Sequence, residues 1–123
     1  SRGEAAGYIK ETGSKSWDKK YKILRDYLNN LDQNIKKRLL ITVIPQQIQI
    51  RLLKMGKKQD ALSFDKKILK ICREVKINCT TFTDKLSQKL KYQTHFVKDG
   101  HMYPSANVEY GKLLGEYLIK NNY

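Results

Sequence analysis

The chain has 123 residues, 40% of them hydrophobic, which suits a single domain with a modest core. Its 25 Lys and Arg against 12 Asp and Glu give a net charge of +13. This charge would attract nucleic acid, anionic lipid or acidic polysaccharide, although lysines spread over solvated helix faces explain it more simply. No apolar run approaches the roughly 20 residues that a bilayer crossing needs, so we expect no membrane span.

The first residues are poor in large apolar side chains. Gly3, Gly7 and Gly13 fall here, so residues 1–15 are predicted to form a flexible N-terminal segment. Ser1 is not an initiator methionine. We therefore expect the chain to begin inside a longer protein.

The first predicted elements are a helix and a strand. After Ser16, a plausible N-cap, apolar residues recur at three- and four-residue steps, which is typical of a helix with one buried stripe. The stripe consists of Tyr21, Leu24, Leu28, Leu31 and Ile35. The apolar run 39–44 then predicts a strand buried on both faces, which Pro45 ends because proline lacks the N–H that the ladder needs.

Further helices and one strand follow. Residues 46–55 are ambiguous between a short helix and irregular chain, and Gly56 marks a turn. The next helix is predicted from the apolar steps of Phe64, Ile68, Ile71, Cys72 and Val75, with Ser63 as its cap. A strand over residues 78–83 and a helix opened by Thr83 and Asp84 follow. A loop over residues 93–103 then leads to a last helix from Ser105 or Asn107. Tyr110 and Tyr117 should pack against the sheet.

This alternation of helices and strands is typical of an open parallel α/β layer. Two strands alone leave sheet edges uncovered. We therefore expect further strands from a missing N-terminal half or from another chain.

The two cysteines do not form a metal motif. Six residues separate Cys72 from Cys79, which is too many for Cys-x-x-Cys, and no second pair completes a zinc site. No metal and no cofactor is expected. A disulfide is geometrically possible and would suit an exported or cell-envelope protein, but two buried thiols agree equally well with the sequence, and the compartment stays open.

The segment Lys98-Asp99-Gly100-His101 is the most informative stretch of the sequence. A carboxylate beside an imidazole can fix its tautomer and stabilise the imidazolium that forms when the ring accepts a proton. The segment follows the second strand, and functional loops of open parallel sheets emerge at the carboxyl ends of strands. Asp99 and His101 are thus a candidate catalytic pair, and a turn carrying a surface histidine is the alternative.

From Trp17 to its end, the chain resembles the C-terminal portion of the SGNH hydrolases, also called GDSL-type esterases. The matching features are the strand ending Val43-Ile44-Pro45, the helix over residues 64–75, the strand over residues 79–83, and Asp99-Gly100-His101 followed by the helix with Tyr110-Gly111-Lys112-Leu113-Leu114. The resemblance implies a three-layer α/β/α, flavodoxin-like parallel-sheet domain, with residues 16–123 as its C-terminal part. It also implies that Asp99 orients His101, and that His101 is the general base for a serine nucleophile.

The family's nucleophile lies in a Gly-Asp-Ser block that this sequence does not contain. The serines of the chain each fit a cap, a turn or a surface position. The resemblance therefore implies part of a serine esterase or acyl-transfer enzyme that acts on an ester-bearing small molecule or carbohydrate, such as an O-acetyl sugar, and that is inactive without the missing block. The alternatives are a basic module that binds nucleic acid or another polyanion, and a catalytically inactive SGNH-like interaction domain.

Overall fold

A computed structural model of the chain describes residues 7–8, 15–90 and 99–123. Two strands separate three groups of helices along these residues, and most of the residues are helical. The elements are α1 (Lys15–Asn29), α2 (Gln33–Arg38), β1 (Leu40–Val43), α3 (Gln47–Lys54), α4 (Lys58–Ala61), α5 (Ser63–Val75), β2 (Asn78–Thr81), α6 (Thr83–Lys89) and α7 (Pro104–Lys120). The protein is therefore a mixed α/β protein, as the sequence predicts.

The sheet in the described part of the chain has two parallel strands. The register pairs Leu40 with Asn78, Ile41 with Cys79, Thr42 with Thr80, and Val43 with Thr81. Ile41 and Val43 pack against the core between α1 and α5. Thr42 lies on the opposite face, because side chains alternate along a strand, and its hydroxyl is 2.6 Å from that of Tyr110 in α7. Helices thus cover both faces of the sheet.

β1 differs in one respect from the strand that the sequence predicts. All four of its residues are half-buried, whereas burial on both faces was expected. In a sheet of two strands, each strand keeps one edge without a neighbouring strand among the described residues, so its side chains stay partly accessible.

The predicted first helix is broken into two. α1 ends at Asn29, and α2 begins after Asp32, whose carboxylate accepts a hydrogen bond from the backbone N–H of Asn34 at 2.8 Å. Aspartate is a favourable N-cap because it satisfies such an otherwise unpaired donor. The apolar stripe is interrupted in consequence, and Ile35 is 50% exposed rather than buried.

Two groups of apolar side chains form most of the core. Between α1, α5 and the sheet, the buried members are Tyr21, Leu28, Ile68, Ile71, Cys72, Val75 and Ile77. On the other face of the sheet, the cluster is Phe82, Leu86, Tyr110 and Leu113, with Tyr117 packed against it. Phe82, which directly follows β2, meets the rings of Tyr110 and Tyr117 edge to face at 5.7 and 6.1 Å. The predicted packing against the sheet is found for Tyr110, whose hydroxyl lies 2.6 Å from that of Thr42 in β1.

Several element boundaries also differ from the prediction. The ambiguous residues 46–55 form a helix, α3, and Gly56 makes the expected turn with φ +78°. Leu62 rather than Ser63 is the N-cap of α5, and the Ser63 hydroxyl donates to the Asp60 carbonyl at 2.9 Å instead. α7 begins at Pro104, because proline at the first helical position has its φ already set.

The cysteines form a disulfide. Cys72 in the last turn of α5 is bonded to Cys79 in β2, with 6.1 Å between their Cα atoms. The bond therefore ties the helix to the strand that follows it, and it decides between the two alternatives that the sequence leaves open. Among the described residues, no helix has both the length and the apolar character that a bilayer crossing requires.

Two predicted segments lie mainly outside the described residues. Of residues 1–15, the structure describes Gly7, Tyr8 and Lys15; Tyr8 is buried, and its hydroxyl donates to the Ala61 carbonyl at 3.2 Å. Residues 91–98, which include most of the predicted loop before Asp99, are not among those described.

Candidate active site

A tight turn brings Asp99 and His101 together. The Oδ1 atom of Asp99 accepts a hydrogen bond from the backbone N–H of His101 at 2.9 Å. Gly100 between them has φ +73°, a conformation that glycine adopts without the penalty of a Cβ atom. Aspartate commonly closes turns by bonding to the backbone two residues further on. The local sequence therefore suffices to build this turn.

The same carboxylate oxygen faces the imidazole of His101. It lies 3.5 Å from Nδ1, at the outer limit of a hydrogen bond. The hydrogen bond from the His101 backbone is the main cause that holds the pKa of the Asp99 carboxyl below its usual range. Asp99 is therefore ionised at neutral pH, beside the nitrogen that a catalytic carboxylate must orient.

Both side chains are accessible to solvent. The side chain of His101 is 83% exposed and that of Asp99 is 59% exposed. Among the described residues, no hydroxyl group is hydrogen-bonded to the imidazole. The turn thus places an ionised carboxylate beside an imidazole whose outer ring nitrogen is exposed to solvent.

The turn lies beside a cleft at the carboxyl end of β1. Gly100 lines this cleft together with Tyr8 and with residues 44–48, which directly follow the strand. Its volume is about 620 Å³. Ligands of open α/β sheets bind beyond the carboxyl ends of the strands. Of the turn, Gly100 lines the cleft, whereas Asp99 and His101 are not among its lining residues.

The wall of the cleft is held by a buried glutamine that was not among the predicted site residues. Gln49 is completely buried, and its Oε1 accepts a hydrogen bond from the Gln46 backbone N–H at 3.0 Å. Its Nε2 donates to Asp65 Oδ1 and to the Ala61 carbonyl, both at 2.9 Å. Gln49 therefore connects the chain that leaves β1 to the start of α5.

A sequence signal for this connection exists. Asp65 stands three residues before Ile68 and seven before Cys72, so it falls on the apolar stripe of α5. A carboxylate in such a stripe needs a partner, because burial of an unpaired charge is costly. What the sequence lacks is any indication that Gln49 is that partner.

Three buried polar atoms have no hydrogen-bond partner among the described residues. They are Gln47 Nε2, Asp65 Oδ2 and Thr83 Oγ1. Within the described part of the chain, no group of three or more potential metal ligands is present. Gln47 also lines the cleft.

No protein-family model matches the chain, and neither a curated protein nor a solved structure has significant similarity to it. The class of the fold, a mixed α/β protein with a parallel sheet, is therefore what the structure itself defines.

Proposed function

We propose that the chain is the C-terminal part of an SGNH-type serine esterase or acyl-transfer domain, with His101 as general base and Asp99 as the carboxylate that orients it. The observation that carries the proposal is the turn itself. One carboxylate oxygen holds the His101 backbone at 2.9 Å and lies 3.5 Å from the ring nitrogen, next to a cleft at the carboxyl end of a parallel strand.

The chemistry follows from these two side chains. A serine hydroxyl supplied from outside this chain would give its proton to the outer nitrogen of His101 as its oxygen attacks the ester carbonyl carbon. Asp99 stays ionised and stabilises the imidazolium. His101 then returns the proton to the departing alkoxide, which leaves an acyl-enzyme for water or an acceptor alcohol. Donors to the oxyanion, typically worth about 3 kcal/mol each, would also come from the missing segment.

The proposal also assigns the two strands to a larger sheet. In it, β1 and β2 are two strands of a three-layer α/β/α, flavodoxin-like sheet. Helix coverage of both faces of the sheet and its parallel register support this assignment. The remaining strands would come from the N-terminal half of the protein or from another chain, and they would cover the exposed side chains of Asp99 and His101.

The cleft indicates the size of the substrate. A volume of about 620 Å³ is within the range of small-molecule sites, and the walls combine apolar Ile44, Pro45 and Ile48 with the amides of Gln46 and Gln47. An ester on a small molecule or a sugar, such as an O-acetyl group, fits such a mixed lining.

The test uses the full-length protein that carries the nucleophile block, with p-nitrophenyl acetate as substrate. His101→Ala should lower kcat by about a thousandfold or more, because loss of the base leaves only binding and oxyanion stabilisation. The matched control is Asn107→Ala, an exposed residue of α7 that does not line the cleft, and it should leave kcat unchanged. A folded His101→Ala protein with the parental rate would overturn the proposal. A full-length protein without any esterase or transferase activity would favour the inactive interaction domain instead.

A further inference from the structure

Three cations on one face of α5 have no acidic partner among the described residues. Lys66, Lys70 and Arg73 are exposed, and none of them forms an ion pair within that part of the chain. Other cations near this helix are paired. Lys67 lies 3.8 Å from Asp18, and Arg25 lies 3.2 Å from Glu74. We call Lys66, Lys70 and Arg73 the cationic strip.

The strip follows a groove. Side chains spaced four and three residues apart lie on one face of a helix, so the strip extends over about 10 Å along the axis of α5. Its three cations line a hollow of about 330 Å³ together with Lys67 and Leu69. A second hollow of about 210 Å³ shares Leu69 and Arg73 with the first and reaches Asn78 and the disulfide.

We propose that the cationic strip binds a linear anionic polysaccharide with a carboxylate on successive sugars. The charges are complementary, and they lie in a row, as a linear polymer requires. Arg73 presents a planar fork that can hold a carboxylate through two hydrogen bonds, and the two lysines add point charges along the polymer. The proposal uses none of the residues of the candidate active site, so it stands independently of the proposed esterase function.

A polysaccharide suits the groove better than a nucleic acid does. Proteins that hold single-stranded nucleic acid combine cations with aromatic platforms for the bases, whereas no aromatic side chain of the described residues lines either hollow. The disulfide between Cys72 and Cys79 forms one end of the groove, and disulfides persist in oxidising compartments outside the cytosol. Acidic polysaccharides are among the polyanions that a protein in such a compartment can meet.

The experiment measures binding of the oxidised chain to a polygalacturonate oligomer at several salt concentrations. The test variant is Lys66→Gln, Lys70→Gln, Arg73→Gln. The matched control is Lys37→Gln, Arg38→Gln, Lys120→Gln, which removes the same charge from exposed residues outside the groove. Each carboxylate contact should contribute nearly one to the slope of log K against log salt, by analogy with phosphate contacts. We expect the affinity of the test variant to be at least tenfold lower. We also expect the magnitude of its slope of log K against log salt to be smaller by about two to three.

Each outcome of the binding experiment either supports or refutes the proposal. The proposal is supported if the control variant stays within about twofold of the parent and if NMR shift changes in the parent chain concentrate on α5. Equal losses in the two variants would mean that net charge alone drives binding, and the strip would be refuted. Tighter binding of single-stranded DNA with the same number of charges would replace the polysaccharide with a nucleic acid. No binding at low salt would also overturn the proposal. NMR mapping uses the unaltered chain, so it decides even if the test variant does not fold.

Discussion

Replacing Gln49 with leucine should strongly destabilise the protein, although the two side chains have similar sizes. The amide of Gln49 makes three buried or half-buried hydrogen bonds, to Gln46, Ala61 and Asp65. Leucine makes none of them. It also leaves Asp65 without a donor for Oδ1, while Oδ2 already lacks one among the described residues. Because the same side chain holds the backbone that follows β1, the cleft wall should loosen as well.

The size of the effect can be worked out from these contacts. A hydrogen bond to a charged group contributes about 1.5–3 kcal/mol, and each neutral bond contributes about 1 kcal/mol. The two neutral bonds and the bond to Asp65 together give a loss of about 4 kcal/mol. This is a large part of the roughly 5–15 kcal/mol that stabilises a typical domain. Adding Asp65→Leu removes the stranded carboxylate, so the double variant should be at least about 2 kcal/mol more stable than the sum of the single effects predicts.

Urea unfolding followed by circular dichroism measures these free energies. The matched control is Gln47→Leu, two residues away, since Gln47 Nε2 has no partner among the described residues and its removal should cost less than about 0.5 kcal/mol. The reasoning fails if Gln49→Leu costs less than about 1 kcal/mol, or if Gln47→Leu costs as much as Gln49→Leu.

Two further predictions concern the stability supplied by the disulfide and the titration of Tyr21. Replacing both Cys72 and Cys79 with alanine should lower the free energy of unfolding by about 2.5 kcal/mol. This is the entropy value for closing a loop between residues seven positions apart. A change below about 0.5 kcal/mol in urea unfolding would contradict the prediction. Burial, followed by the charges of Tyr8 and Asp18, raises the pKa of Tyr21 to about 12 from an ordinary value of 10.0. The contribution of Tyr21 to stability should therefore be fully present below about pH 10 and be lost as the pH rises from about 10 to about 12, because the unfolded chain loses this proton first. Tyr21→Phe should abolish that loss and remove a late step of a tyrosinate absorbance titration; an identical pH profile in Tyr21→Phe would exclude this assignment.

The order of elements was predictable because it depends on local patterns. The three- and four-residue apolar steps of α5, the apolar run of β1 and the turn residue Gly56 each act within a few positions of the chain. The break between α1 and α2 was missed for a local reason as well. In the sequence, the apolar spacing continues from Leu28 through Leu31 to Ile35, past the cap residue Asp32. The spacing alone therefore gave no sign that the helix is interrupted.

The candidate site likewise has one part that depends on local sequence and one part that depends on distant segments. The turn of Asp99 and His101 is local, since an aspartate followed by glycine bonds readily to the second residue beyond it. The cleft beside it depends on Tyr8, on the end of β1 and on Gly100, which are far apart in sequence. No pattern in any one of these segments indicates the other two.

The sequence by itself determined the alternation of helices and strands and the turn that pairs a carboxylate with an imidazole, since backbone preferences and side-chain periodicity act over a few residues. Only the tertiary structure decided that Cys72 pairs with Cys79, that Gln49 satisfies Asp65, and that Tyr110 meets Thr42 across 68 positions of the chain. These contacts form when separate elements pack together, and packing depends on the fit of distant surfaces that no short window of the sequence describes.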